Sequence, residues 1–323
     1  MNICVTGGAG YIGSHAVKML QAQNHHVIVV DNLSTGFQYA IPSEVPFYQI
    51  ATHDESALVE VFKKEQVEAV MHFAAFSLVG ESVEKPLKYY QNNVEGTRAL
   101  LEAMATAHVH KLIFSSTAAV YGTKEVQPIT ETMEETPENP YGETKLAIEK
   151  MLKWFSKTTP LNYITLRYFN VAGAYYDGSI GENHNPETHL IPNVIKSVLH
   201  KGAPLKVFGN DYPTPDGTPI RDYIHVEDLV HAHIKALDYL TKHKKNEIIN
   251  LGSSSGYSVL EVILATEKIT GIKVPYTIEP RRAGDPAKLI ASNQLAYDLL
   301  AWQPTKTLET MIESAYKYFK NKA

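Results

Sequence analysis

A tyrosine and a lysine four residues apart, in Tyr141-Gly142-Glu143-Thr144-Lys145, have the plainest capacity for proton chemistry in this chain. In a helix that spacing puts phenol and ammonium on one face, one turn apart. A free phenol, with a pKa of about 10, is a poor base at neutral pH, and a fixed cation beside it favours the phenolate. Upstream, Phe114-Ser115-Ser116-Thr117 reads as the end of a strand, where open α/β sheets place their ligands. The Thr117 hydroxyl and the Tyr141 phenol are suited to bind and deprotonate an alcohol while hydride leaves the same carbon.

A hydride needs an acceptor, and the N-terminal segment offers a place for one. Thr6-Gly7-Gly8-Ala9-Gly10-Tyr11-Ile12-Gly13-Ser14 follows a short β-branched run and leads into a helical pattern. Glycines at 7, 10 and 13 permit a tight turn and let backbone N–H groups approach a pyrophosphate at the positive end of the helix. Asp31 ends the second predicted strand, positioned to accept hydrogen bonds from ribose hydroxyls. From Asn32 to Pro46 there is no Lys or Arg to neutralise a 2′-phosphate, so NAD is favoured over NADP.

The elements that must position these groups alternate. Apolar runs are predicted as strands at 3–5, 27–30, 69–73, 111–115 and 163–167, with helical periodicity over 12–22, 55–64, 87–107 and 142–157. This is the rhythm of βα units: an α/β fold with a Rossmann-type doubly wound parallel sheet. After Phe169, Gly, Asn, Pro and His accumulate from Gly173 to Pro192. The expected organisation is therefore an NAD-binding domain over 1–170, rejoined by about 222–251, and a smaller C-terminal α/β substrate lobe over 171–323.

Composition narrows the function classes. The 323 residues are 44% hydrophobic and 20% charged, enough apolar material for a large core or two lobes. A net charge of -5 with mixed signs offers no basic face, so nucleic acid is not an expected partner. The single cysteine, Cys4, excludes an internal disulfide and points to the cytoplasm. No leader pattern or membrane-length apolar stretch is expected to direct the chain to a bilayer. The pairs His231/His233 and His108/His110 lack ligand spacing with a companion carboxylate or thiolate, so no metal is expected.

Several longer segments carry a resemblance. Thr6 to Ser14, His72-Phe73-Ala74-Ala75, Asn93 to Thr97, Ser115 to Gly122, Tyr141 to Lys145 and Leu166 to Asn170 resemble the extended short-chain dehydrogenase/reductase family. Val79 to Ser82, Phe208 to Thr214, Arg221 to Val226 and Arg282-Ala283-Gly284-Asp285 are similar to its UDP-hexose 4-epimerase branch. The resemblance spans nearly the whole chain. It implies interconversion of UDP-glucose and UDP-galactose through a transient 4-keto sugar, with NAD retained, in a homodimer paired through the helices over 87–107 and 142–157.

The resemblance also implies roles. Tyr141 is the acid/base, Lys145 serves the nicotinamide ribose and the phenolate, and Thr117 meets the substrate hydroxyl. The cofactor is expected at Gly7, Gly10, Tyr11, Ile12, Gly13, Asp31, Asn32, Phe73, Ala74, Ala75, Asn93, Ser115 and Tyr168. The UDP-sugar is expected at Asn170, His189, Leu190, Phe208, Arg221, Arg282, Asp285 and Leu289. Two guanidinium forks suit a pyrophosphate.

Some positions depart from the family's pattern. Ala51 stands where an Asp usually receives the adenine amino group, Ser77 replaces a commonly basic residue, and His189 replaces an Asn. Thr117 stands for the more usual Ser, keeping the hydroxyl but restricting its rotamers. Leu289 is intermediate between the bulky Tyr of glucose-restricted relatives and the smaller residues of those accepting N-acetylated sugars, which admits UDP-N-acetylhexosamines as secondary substrates. Thr117-Ala118-Ala119 lacks the acid pair that a 4,6-dehydratase needs. A UDP-uronate epimerase or decarboxylase and a catalytically silent NAD-binding sensor remain as alternatives, the latter requiring a broken Thr/Tyr/Lys set.

Overall fold

The computed structural model describes residues 1–199, 203–282 and 285–322. Among them the strands are β1 (Asn2–Thr6), β2 (His26–Val30), β3 (Phe47–Tyr48), β4 (Ala69–His72), β5 (Lys111–Ser115), β6 (Asn162–Tyr168) and β7 (Asn170–Ala172). They continue with β8 (Leu205–Phe208), β9 (Ile220–Arg221), β10 (Tyr223–His225), β11 (Glu247–Leu251), β12 (Tyr257–Ser258), β13 (Tyr276–Glu279) and β14 (Lys288–Leu289). The helices are α1 (Tyr11–Ala22), α2 (Glu55–Lys64), α3 (Val79–Glu84), α4 (Pro86–Tyr89), α5 (Gly96–Thr106) and α6 (Pro140–Thr158). Then follow α7 (Leu190–Val198), α8 (Val226–His243), α9 (Val259–Thr270), α10 (Gln294–Leu300) and α11 (Leu308–Asn321).

The largest sheet has seven strands in the order β3-β2-β1-β4-β5-β6-β11, and the pairs from β3 to β6 are parallel. Strand order reverses between β1 and β4, the switch point at which doubly wound sheets open a crevice beyond the strands' carboxyl ends. Ile3, Cys4 and Val5 in β1, Ile28 to Val30 in β2 and Leu112 to Phe114 in β5 are buried. A sheet covered on both faces needs continuous rather than alternating apolar runs, which is how these segments read in the sequence.

Contacts divide the chain into two units. The first is Met1–Gly122, Glu131–Arg167 and Val230–Ile249; the second is Thr123–Thr130, Tyr168–Leu229 and Asn250–Ala323. In the first unit, Leu58, Phe62, Leu100 and Met104 of α2 and α5 pack with Val70, Leu112 and Phe114 of the sheet. The second unit has its own core, where α7, α9 and α11 contribute Val194, Ile195, Val262, Ile263, Met311 and Ile312. Its short strands pair as β7 with β10, β8 with β13, and β9 between β12 and β14.

The helix expected over 87–107 is interrupted. After α4 the ladder widens to a π segment over Tyr90–Glu95 before α5 begins. The wider turn holds Asn93, whose amide donates to Phe76 O at 3.1 Å and to Thr144 Oγ1 at 3.1 Å, while its oxygen accepts Phe76 N at 2.9 Å. These bonds pin the loop after β4 to α6 in a way a regular turn does not require, and single π turns recur where function fixes a side chain.

His72, at the carboxyl end of β4, is buried with Nδ1 2.6 Å from Thr6 Oγ1 and Nε2 2.9 Å from Thr97 Oγ1. Thr97 Oγ1 donates to Asn93 O at 2.7 Å. It must therefore accept from His72, which assigns the Nε2–H tautomer and leaves Nδ1 to accept from Thr6. Burial, with the Lys145 charge in support, pushes the imidazole down from 6.5 to about 3. The unfolded chain thus binds a proton that the folded chain refuses between those values, so stability is lost as pH is lowered through that window. From about pH 8 to about pH 5 the wild type should lose about 2 kcal/mol more stability in urea unfolding than His72→Gln, which has no proton to take up. Equal losses would mean that His72 is protonated in the native state.

Candidate active site

The loop between β1 and α1 is shaped by what its glycines omit. A Cβ on Gly7, whose φ is +74°, would meet Ala74 N at 2.6 Å, and one on Gly13 would meet Gly7 O at 2.1 Å. The loop is thereby pressed against Phe73-Ala74-Ala75, the turn leaving β4, and Phe73 N donates to Thr6 O at 3.0 Å. Gly10 caps α1 without a side-chain hydrogen bond, so no side chain shields the positive end of the helix at Tyr11, Ile12 and Gly13. The Tyr11 ring meets His15 edge-on at 5.3 Å.

Asp31 closes this cradle from β2. Its carboxylate accepts Ala9 N at 3.0 Å and Leu33 N at 2.8 Å, with further lone pairs left for hydroxyl donors. Burial raises its pKa and the two backbone bonds oppose that rise. Asn32 accepts Ser34 N at 3.0 Å and shapes the next turn. A glycine cradle with no room for Cβ atoms, an uncapped helix start and a buried acceptor 18 residues beyond Gly13 fit a dinucleotide's pyrophosphate and ribose.

The proton-handling group lies at the carboxyl end of β5. Thr117 caps a short 3-10 turn by accepting Ala119 N at 3.2 Å, and its hydroxyl also influences the Tyr141 phenol. Capping and chemistry therefore share one side chain. Helix α6 starts at Asn139, which accepts Gly142 N at 2.9 Å, followed by Pro140 at the first helical position. Tyr141 N donates to Ser82 Oγ at 3.2 Å. Burial pushes the Tyr141 phenol up, and the Thr117 hydroxyl pulls it down.

Lys145 is buried, with Nζ donating to Ser115 O at 2.8 Å and lying 4.9 Å from the Phe114 ring centroid. Burial lowers its pKa from 10.5 to about 7, while the negative charge of Glu149 raises it. Glu149 stands one further turn along α6, accepting Ser116 Oγ at 2.5 Å and Arg167 Nε at 3.0 Å, with a second, shorter bond from Arg167. Arg167 also reaches Glu135 at 2.8 Å and stacks its guanidinium 4.8 Å from the Tyr121 ring centroid.

Sequence reasoning missed Glu149, Arg167, Ser82 and His233 as parts of this arrangement. Glu149 had a signal, because 141, 145 and 149 follow one helical face. Arg167 lay in a quoted motif without a role. His233, dismissed as a metal ligand, is buried with Nε2 3.0 Å from Ser115 Oγ and its ring 4.9 Å from Phe73. The expected Ser115 thus takes part through both its carbonyl and its hydroxyl.

In the second unit, Arg221 ion-pairs with Asp285 and donates to Ile220 O at 2.8 Å. Leu289 of β14 is in register with Arg221 of β9. The Arg282 guanidinium lies 4.0 Å from the centroid of the Phe208 ring. Asn170 begins β7 opposite Tyr223 and donates its N–H to Asp222 O at 3.0 Å, and Tyr168 ends β6. Leu190 opens α7, where His189 is the cap residue and turns its Nδ1 to Glu182. Ala283 and Gly284 of the expected Arg-Ala-Gly-Asp motif lie outside the described residues.

The profile of a family described as "NAD dependent epimerase/dehydratase family" matches residues 3–252. The chain is 49% identical to a UDP-glucose 4-epimerase of Lactobacillus helveticus over 322 residues, covering 99% of this chain and 98% of that protein. A solved UDP-glucose 4-epimerase superposes with a TM-score of 0.98 at 52% identity, covering 99% of this chain and 98% of that one. Another, from Brucella ovis in complex with NAD, gives 0.96 at 45% identity over 98% of each chain. Matching sequence over nearly its whole length and carrying the glycine cradle and the Thr117/Tyr141/Lys145 set, the chain belongs to the NAD dependent epimerase/dehydratase family.

Proposed function

We propose that the protein is an NAD-dependent UDP-glucose 4-epimerase, interconverting UDP-galactose and UDP-glucose. The observation that carries this reading is Lys145, buried on the helix that Tyr141 opens and held by the carbonyl of Ser115 two residues before Thr117. A silent nucleotide-binding sensor would have no need to keep that set. When bound, NAD supplies the hydride acceptor for C4 of the sugar and returns the hydride to the opposite face.

The protein's own residues handle the proton. Tyr141 takes it from the C4 hydroxyl and gives it back, with Thr117 orienting that hydroxyl. Lys145 favours the phenolate by its charge, and Ser115 O fixes its position. Asp31, the turn over 73–75 and the cradle of Gly7, Gly10 and Gly13 bind the cofactor, with Tyr11, Ile12, Asn32, Asn93 and Tyr168 beside it. Arg221, Arg282 and Asp285 hold the UDP moiety, together with Asn170, Leu190, His189 and Phe208.

Leu289, beside Arg221 in the β9/β14 pair, sets the size limit at the sugar and leaves room for an N-acetyl group as a secondary substrate. The place of action is the cytoplasm, consistent with the one buried free thiol at Cys4. Among the described residues no helix is long and apolar enough to cross a membrane. The working form is a homodimer. Leu87 at 80% exposure, with Val83, Tyr90 and Trp154, presents apolar side chains to solvent along α3, α4, the π segment and α6. Sedimentation at micromolar concentration should give twice the chain mass for the wild type and the single chain mass for Leu87→Glu; a wild-type monomer would end that part of the reading.

The decisive assay supplies UDP-galactose without added NAD and follows UDP-glucose by chromatography, with Tyr141→Phe in parallel. Conversion by the wild type and a loss of about 10²-fold or more in the variant are expected. A wild type inactive with and without NAD would refute the epimerase reading. If activity appears only with added NAD, Ala51, lacking the expected adenine contact, accounts for weak retention. In the same assay UDP-N-acetylglucosamine should turn over more slowly than UDP-glucose and faster in Leu289→Ala.

Glu149→Gln separates charge from shape. Removing the carboxylate lets the Lys145 pKa fall further, so the cation beside Tyr141 is lost at lower pH. The alkaline limb of the pH–kcat profile should move toward acid by about one pH unit. Arg167, which keeps its pair with the partly exposed Glu135, should also lose stability, by up to about 3–5 kcal/mol. An unmoved profile in a destabilised variant would reduce Glu149 to a purely structural part.

A further inference from the structure

One cluster of ligating side chains has no part in the proton chemistry and shares only His189 with the proposed UDP-binding residues: the loop that enters α7. Glu182, His184, Glu187 and His189 each present one ligand atom, and these atoms all lie within 4.8 Å of one another. We propose that these four residues form a site for a zinc-class divalent transition-metal ion. The sequence reading, which tested only the two His-x-His pairs, expected no metal.

Two of the contacts have the spacing of ligands around one ion, while His189 hydrogen-bonds Glu182 and would have to draw back to the ligand edge. Metal bonds of about 2.0–2.2 Å at tetrahedral angles set ligand–ligand edges of about 3.4 Å. His184 Nδ1 stands 3.3 Å from Glu182 Oε1 and 3.7 Å from Glu187 Oε1, the latter beyond hydrogen-bond reach. His189 Nδ1 closes on Glu182 Oε1. The two imidazole rings stand nearly perpendicular, 85° apart at 5.3 Å.

A second observation concerns Glu187. Its side chain is only 5% exposed, yet Oε2 makes no hydrogen bond. Its nearest cation, Lys196 Nζ, is 3.7 Å away. The other oxygen is fixed by Thr188 N at 3.0 Å and His189 N at 3.1 Å, so the carboxylate is held rigidly with one face unspent. Glu182, at 3% exposure, is likewise out of water. Two imidazoles and two carboxylates are the donor set of a borderline ion such as Zn²⁺, with Co²⁺ as its spectroscopic substitute.

Without a metal, protons on the imidazole nitrogens bridge His184 and His189 to Glu182. A metal must displace these imidazole protons, so binding should release protons and tighten as pH rises. Lys196 Nζ, 3.7 Å from Glu187 Oε2, competes with the ion for that carboxylate.

The test does not depend on the epimerase reading. The full chain, stripped with chelator, is titrated with Co²⁺ and with Zn²⁺, following the Co²⁺ d–d absorption, stoichiometry by calorimetry and proton release. One ion per chain, an intense tetrahedral Co²⁺ band, and affinity at least about tenfold weaker in His184→Gln and in Glu187→Gln are expected. His108→Gln, at an exposed histidine of the first unit, should bind as the wild type does. Absence of saturable binding by the wild type would overturn the proposal. So would equal affinity in both cluster variants, the mark of adventitious surface binding. Should His184→Gln fail to fold, the near-isosteric Glu187→Gln and the wild-type stoichiometry and spectrum decide.

Discussion

The burial of one ammonium group, that of Lys145, constrains the first unit more than any other interaction. A lysine cation out of water is costly unless something holds it, and its pKa near 7 records that cost. Ser115 O accepts its proton at the carboxyl end of β5, and Glu149 answers its charge from the next turn of α6. The strand end and the helix must therefore be in register to within a hydrogen bond. Much else in the unit reads as means to that register. Asn139 and Pro140 set where α6 begins, Ser82 holds its first turn, and Asn93 ties it to the loop after β4.

The Glu149–Arg167 pair follows from the same constraint. A lone carboxylate beside Lys145 would bind the ammonium outright and pull it from Ser115 O. Arg167, planar and permanently charged, occupies the carboxylate through two bonds and leaves Lys145 only its field. Arg167 in turn is balanced by Glu135 and the face of Tyr121. The chain of alternating charges ends at the partly exposed Glu135, where water can share the last of it.

Periodicity and glycine placement made the frame readable. Continuous apolar runs announced a sheet buried on both faces, and glycines at 7, 10 and 13 announced a loop with no room for side chains. Tyr141 and Lys145 were visible because their spacing is local to one helix. What sequence could not display is pairing between distant segments. Nothing near Arg167 points to Glu149, and nothing near Ser115 points to His233. The π segment was hidden too, because 87–107 has unbroken helical period and the widened turn is imposed by Asn93 bonding to Phe76 and Thr144. Thr123–Thr130, which packs with the second unit, carries no local signal of that allegiance.

The second unit applies a different rule to its charges. In the first, buried charges are held in part by partners far away in sequence, as Lys145 is by Ser115 and Glu149 by Arg167. In the loop entering α7, four ionisable groups fall within eight residues and answer one another. Such a loop can be neutral in two ways: with two protons on its histidines, or with one divalent ion in their place. The first leaves Glu187 Oε2 without a donor, and the second gives the four converging ligand atoms one shared partner. Because His189 also caps α7 immediately before Leu190, whichever state prevails fixes the start of that helix. Charge balance in this loop is therefore coupled to backbone geometry where the proposed UDP-binding segment begins.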